Sequence, residues 1–230
     1  SLLYRLPETV TLEVEQNITS QSTRTQQSCT GVWSVMQKGF DVVKKVALIF
    51  VVVLIPALAW SYAKPVRLLL PNLNGMQCNG AICVEDPKKI DRAADLYESA
   101  VANLAAVRIS LSASPNFIYC STAECYESFG GGSERAISYP FLGTVIAPES
   151  WQSYITQHEL IHWFQFSEIG AVSTMMKPDW FREGMAYVYS GAPESDIPEH
   201  YLPMMAKYRD WHSGKSWSEV IHQAGDLWHV

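Results

Sequence analysis

The run at residues 46–60, VALIFVVVLIPALAW, holds no charged side chain and follows Lys38, Lys44 and Lys45. Such a segment has to leave water, so it divides the chain into a leader and a following domain. A spanning helix needs about 20 apolar residues. This run is shorter, and Pro56 falls inside it. A basic flank, a brief apolar stretch and then small residues describe a signal peptide. Ser61 and Ala63 stand at −3 and −1 of a cut before Lys64, and Ala57-Leu58-Ala59 is a second candidate. Stretching the segment to Ala63 as a tilted helix keeps a membrane anchor as the alternative. Residues 36–63 are therefore expected to be a signal peptide or signal anchor. Residues 64–230 are expected to be exported, periplasmic or extracellular, and membrane-bound if 46–63 is retained. Residues 1–35 are rich in Gln, Ser and Thr, and the first methionine is Met36, opening MQKGFDVVKK. The expectation is that translation starts at Met36 and that 1–35 is an unstructured upstream segment.

At 230 residues, 48% hydrophobic and 17% charged, the chain can bury one sizeable core and is too apolar for disorder. Its net charge of −6 is uneven: residues 1–63 carry five basic and four acidic groups (+1), residues 64–230 twelve and nineteen (−7). An acidic balance with no lysine or arginine cluster argues against nucleic acid as the main partner. All six histidines lie at or after His158, which is where chemistry is expected.

Cys29 falls in the leader; Cys78 with Cys83 and Cys120 with Cys125 form two C-x4-C pairs in the exported part. Four cysteines permit three pairings, and local closure of each short loop is the simplest. An oxidising compartment would let both form. The rival is a four-cysteine zinc site, against which stands the wider spacing than the usual C-x2-C knuckle. Either way these cysteines are structural.

Beyond the leader, residues 66–70, 108–112, 116–120 and 141–147 read as strands, with a glycine loop, Gly130-Gly131-Gly132, before the last. Asp86-Pro87 supplies a cap and a first-turn proline for an amphipathic helix over 87–107. A helix over about 150–166 follows, then a loop through Met175 and Met176. The next helix, over about 180–190, is opened by Pro178 and Asp179 and closed by Gly191. Two more helices are expected, over about 197–211 and after the Ser216…Glu219 capping box. The halt at Val230, after an apolar-aromatic stretch, reads as a truncated domain.

Within the 150–166 helix stands His158-Glu159-Leu160-Ile161-His162. Residues four apart lie one turn along the same helix face, so both imidazoles can grip one ion. Shuffling this composition gives such a pentapeptide in about one chain per hundred. Ile155, His158, His162 and Phe166 share a face, and two histidines on an apolar stripe need a polar partner. A third ligand would come from elsewhere. Glu183, in Trp180-Phe181-Arg182-Glu183-Gly184-Met185-Ala186-Tyr187, is costly to bury unless paired or metal-bound. The competing partners for it are Arg182 and Arg135. Gly184 and Ala186 are expected to let this helix approach the histidine helix closely.

HELIH followed by WFREGMA resembles the gluzincin clan of zinc metallopeptidases, and most closely its small bacterial peptidase-MA-like members. The resemblance covers roughly residues 140–190. It implies an α+β, zincin-like fold: a small mixed β-sheet packed on the HExxH active-site helix, with a helical part after it. It also implies one zinc ion on His158, His162 and Glu183, with Glu159 as the general base in hydrolysis of a peptide or protein substrate. No motif matches a transition-state tyrosine or histidine. Tyr187, one turn beyond Glu183 on the same face, is the first candidate, with core packing as the bland alternative. His200, His212 and His222 are weaker ones. Asp179 is a helix cap or an orienting group for an imidazole, and the tryptophans are core. The rival reading is a catalytically inactive zinc-binding or membrane-anchored scaffold or assembly module of the same fold.

Overall fold

The computed structural model describes residues 43–112 and 114–227. The expectations for residues 1–35, Cys29, Met36 and the last residues, including Trp228, lie outside them. The apolar run lies within helix α1, Val43–Tyr62, which by length and composition could cross a membrane; a signal sequence passes the same test. The helix is longer than the 46–60 run because Pro56 does not end it. A π-helical stretch, Phe50–Leu54, precedes the proline. Proline has no N–H and crowds the carbonyl four residues back, which a shift to i→i+5 bonding relieves.

Contacts divide the chain after Leu58 into two units, and the second, Ala59–Val230, holds the sheet and every later helix. The strand expected at 66–70 is instead a 3-10 helix, Lys64–Leu69, followed by another, Pro71–Asn74. Pro65 and Pro71 fix φ and remove donors that a strand needs. Leu68 is buried while Leu69 and Leu70 face water, which is not strand alternation. Arg67 Nη1 donates to the Ser128 carbonyl at 2.8 Å and holds this segment on the body.

The sheet has five strands in the order β1-β2-β3-β5-β4: β1 Gln77–Asn79, β2 Ile82–Val84, β3 Phe117–Tyr119, β4 Ala136–Tyr139 and β5 Gly143–Ile146. The central pairs are parallel and both edges antiparallel. β3 and β5 fall inside expected strands. The β1–β2 hairpin and β4 were not expected. Asn79-Gly80 is the signal for the first, since Gly80 supplies φ +60° at the turn. Both local disulfides are present, Cys78–Cys83 across that hairpin and Cys120–Cys125 after β3.

Helix α2, Ile90–Ala106, buries Ala93, Tyr97, Ala100 and Leu104, and the Asp86 carboxylate accepts from Lys88 N before it. Residues 108–112 are not a strand. Arg108 takes φ +62° while Ile109 N donates to the Leu104 carbonyl and Arg108 N to Ala105. That is a Schellman helix stop, whose apolar contact is Ile109 buried with Leu104.

After the short helix α3, Ala123–Ser128, the rest is helical: α4 Ser153–Ile169, α5 Ala171–Met175, α6 Asp179–Ser190, α7 Leu202–His212 and α8 Trp217–Ala224. The expected loop at Met175 is largely the short α5. The expected 197–211 helix starts later, after 3-10 turns that follow Pro193 and Pro198. The Ser216–Glu219 capping box is formed in full. The fold is thus mixed α+β with a small mixed sheet, and α4 lies at the centre of the helical layer, against α2, α6 and β4.

Candidate metal centre

α4 is anchored at its start by Trp151, whose indole donates to the Cys120 carbonyl at 2.7 Å. Further along, Thr156 bonds the buried Tyr119 hydroxyl at 3.0 Å. Leu160, Ile161 and Phe164 bury one side of the helix in the core. The other side turns His158, Glu159 and His162 into a cleft of about 600 Å³. α6 forms the opposite wall and brings Glu183 to the two imidazoles.

The three donor atoms nearly touch. His158 Nε2 lies 3.1 Å from His162 Nε2, and Glu183 Oε2 lies 3.4 Å from the first and 3.6 Å from the second. Ligands about 2.1 Å from a tetrahedral ion stand about 3.4 Å apart, so the triangle is the face of one coordination sphere. Among the described residues this is the one such group. Glu183 forms its ion pairs with the imidazoles, not with Arg182 or Arg135.

The electrostatics fit the same point. Burial alone would lower the His162 pKa, yet the Glu183 carboxylate beside it pushes it up to about 9. Burial likewise opposes the Glu183 charge, but His162 and His158 hold its carboxyl well below the usual range. The group therefore demands a cation, which a proton or a metal ion can supply, and a metal must displace the proton.

Gln165 is a residue of the site that the sequence reading missed. It is fully buried. Its Nε2 donates to the Arg182 carbonyl at 3.0 Å, which fixes the amide so that Oε1 faces His162 Nδ1, also at 3.0 Å. With Nδ1–H donating to Gln165, loss of the other ring proton leaves the Nε2 lone pair pointing at the shared site. A glutamine one turn past a histidine on an otherwise apolar face was the available signal.

Gly184 serves a different contact from the one expected. A Cβ there would lie 2.6 Å from the Met204 carbonyl oxygen and 3.0 Å from Tyr208 Cβ, so the gap admits α7, not α4. Asp179 is the first helical residue, with Pro178 as the cap, and its carboxylate pairs with Arg182.

Tyr187 stands edge-on to His158, ring centroids 4.4 Å apart, and packs on Tyr201 at 4.5 Å. Burial raises both phenol pKa values, so both stay protonated. Tyr201 was also missed, because it rides a 3-10 turn with no periodicity. His200 lines the cleft. His212 does not: it bonds Tyr189 at 3.2 Å and packs on Tyr208 and Trp217. His222, in α8, is likewise outside the cleft. Of the tryptophans, Trp151 is buried and Trp163, Trp180, Trp211 and Trp217 pack against the core.

No protein-family model, curated protein or solved structure matches this chain. The assignment therefore rests on the site itself.

Proposed function

We propose that the chain is an exported zinc-dependent metallopeptidase of the gluzincin type, with a zincin-like fold. His158, His162 and Glu183 hold one zinc ion, and Glu159 is the general base. The observation that carries this reading is the 3.1, 3.4 and 3.6 Å donor triangle on the floor of an open cleft, with Glu159 6% exposed beside it. Two imidazoles and one carboxylate are a donor set that suits zinc.

When bound, zinc supplies a Lewis acid that polarises a scissile carbonyl and lowers the pKa of water. Glu159 takes the proton of the attacking water and passes it to the leaving amine. Tyr187, held neutral, donates a hydrogen bond to the developing oxyanion, with Tyr201 packed behind it. Gln165 keeps His162 in the competent tautomer.

A peptide substrate is supported by β4. It is an edge strand, pairs among the described residues only with β5, and Ala136, Ile137 and Ser138 line the cleft. An extended chain can add along that edge by main-chain hydrogen bonds. The disulfides and the apolar helix α1 fit an exported protein.

The test is metal content by mass spectrometry of the full chain in detergent, with His162→Ala and Glu183→Gln alongside. One zinc per chain, lost from both variants, is expected. Cleavage of a peptide library by the wild type and not by Glu159→Gln, with zinc retained, completes it. A folded wild type that takes up no zinc overturns the reading.

A further inference from the structure

The cleft has two unlike ends. Arg135 stands beside Tyr154, the second residue of α4. Farther along, Trp163 Nε1 donates to Thr144 Oγ1 at 2.9 Å, and Thr144 pairs with Ser138 of β4. β4 and α4 therefore run in the same direction, from an Arg135–Tyr154 end to an end formed by Pro140, Phe166 and Met175. The dimensions agree: 135 to 140 spans about 17 Å of strand and 154 to 166 about 18 Å of helix. The metal ligands sit midway, about 9 Å from Arg135's end, which is two or three residues of extended peptide.

Two guanidinium groups line the cleft, and no lysine among the described residues does. Arg182 is committed to Asp179. Arg135 is exposed and, among the described residues, has no carboxylate within 4.0 Å. One of its N–H groups goes to a neutral acceptor, the Asp196 carbonyl, at 3.0 Å. The Asp196 carboxylate is taken instead by the Tyr154 hydroxyl at 2.7 Å and the Ser195 hydroxyl at 3.1 Å. Arg135 also bonds the Tyr154 hydroxyl, and its field adds to those two hydroxyl bonds in holding the Asp196 carboxyl down. It forms no direct carboxylate ion pair, so it is a fork-shaped cation in the cleft without a contacting counter-ion among the described residues.

Chain direction decides what it meets. An added strand antiparallel to β4, the more stable pairing, runs from the Pro140 end to the Arg135 end. Its C-terminal side therefore arrives at Arg135. We infer that Arg135 recognises a substrate carboxylate two or three residues beyond the cleaved bond on its C-terminal side, supplied by a free chain terminus or by an acidic side chain. This rests on the peptidase reading.

The experiment uses the full chain in detergent and one peptide sequence made as free acid, as C-terminal amide, and as longer amides with Glu or Gln at the matching position. For the zinc-loaded wild type, a charged partner is expected to raise kcat/KM by about ten- to a hundredfold over the neutral peptide. The effect should lie mainly in KM. Free acid against amide reports a terminus, and Glu against Gln reports a side chain. Arg135→Gln should bring either ratio to about one, and Arg135→Lys should keep part of it. The same pairs are titrated calorimetrically into metal-free protein, where the charged peptide should bind about tenfold more tightly in the wild type only. Cleavage with no charge preference overturns the inference and leaves the peptidase reading standing. A binding preference that depends on Arg135, with no cleavage of any peptide, supports the carboxylate site and overturns the peptidase reading. Neither cleavage nor preference overturns both.

Discussion

Along β3 and β5, Phe117, Tyr119 and Ile146 point into one core, and Ile118 and Val145 into another. The first lies under α2, α4, α6, α7 and α8 and is rich in rings, among them Tyr97, Trp151, Phe164, Phe181 and Tyr208. The second is smaller, with Leu68, Met76, Tyr126 and Phe129 as its larger members, and it contains Cys83, Cys120 and Cys125. Its covers are 3-10 turns and the short α3, which bury little area each. The contrast teaches a division of labour. Where helices stack, apolar burial fixes positions to fractions of an ångström, and the donor triangle is built there. Where the layer is thin, covalent loops limit the unfolded chain instead.

Truncating the helical face should do the most damage. Phe181, fully buried against Tyr208 and Trp211, supports the α6 helix that carries Glu183. Phe181→Ala should cost about 3–5 kcal/mol in denaturant unfolding and release the metal. A loss under about 1 kcal/mol would mean that this face is not what holds the domain. Gly184→Ala forces a methyl to 2.6 Å from the Met204 carbonyl. It should cost about 1–3 kcal/mol and weaken metal binding by moving the neighbouring Glu183, read by zinc titration with a chromogenic chelator.

On the other face, replacing Cys120 and Cys125 by serine opens a loop with a sequence separation of 5. The expected cost is about 2 kcal/mol, with one zinc still bound. Loss of zinc in a variant that stays folded would break the division between the faces. The smallest effect on stability should come from Gln165→Leu, about 1 kcal/mol. There the metal readout should dominate, with affinity falling about 10- to 100-fold because His162 loses its orienting partner. Unchanged affinity would remove Gln165 from the site.

Much of the candidate site could be read from sequence because its parts are local. Two histidines one turn apart share a face by helix geometry, and the Glu183 helix announces itself by Pro178, Asp179 and Gly191. The two short cysteine loops closed as spacing suggested, and Ser216 with Glu219 formed the box that their spacing describes. The failures were also local in form. Residues 66–70 and 108–112 have strand-like composition, but prolines at 65 and 71 and a helix stop at Arg108 set their backbones. The length of α1 was underestimated because a proline inside an apolar helix can be absorbed by a π turn.

What the sequence determined by itself was the chemistry on each element: which side chains could bind a cation, which cysteines could close, and where the Glu183 helix and the Ser216 capping box begin. Tertiary structure alone decided which elements meet. It set Glu183 against two imidazoles, turned Gln165 to hold one of them, and placed Gly184 under α7. It also left β4 as an open edge with Arg135 at one end of the cleft. Periodicity encodes the face a residue occupies, because that depends on neighbours a few positions away. The identity of the partner across that face depends on how whole layers pack, and no local pattern carries it.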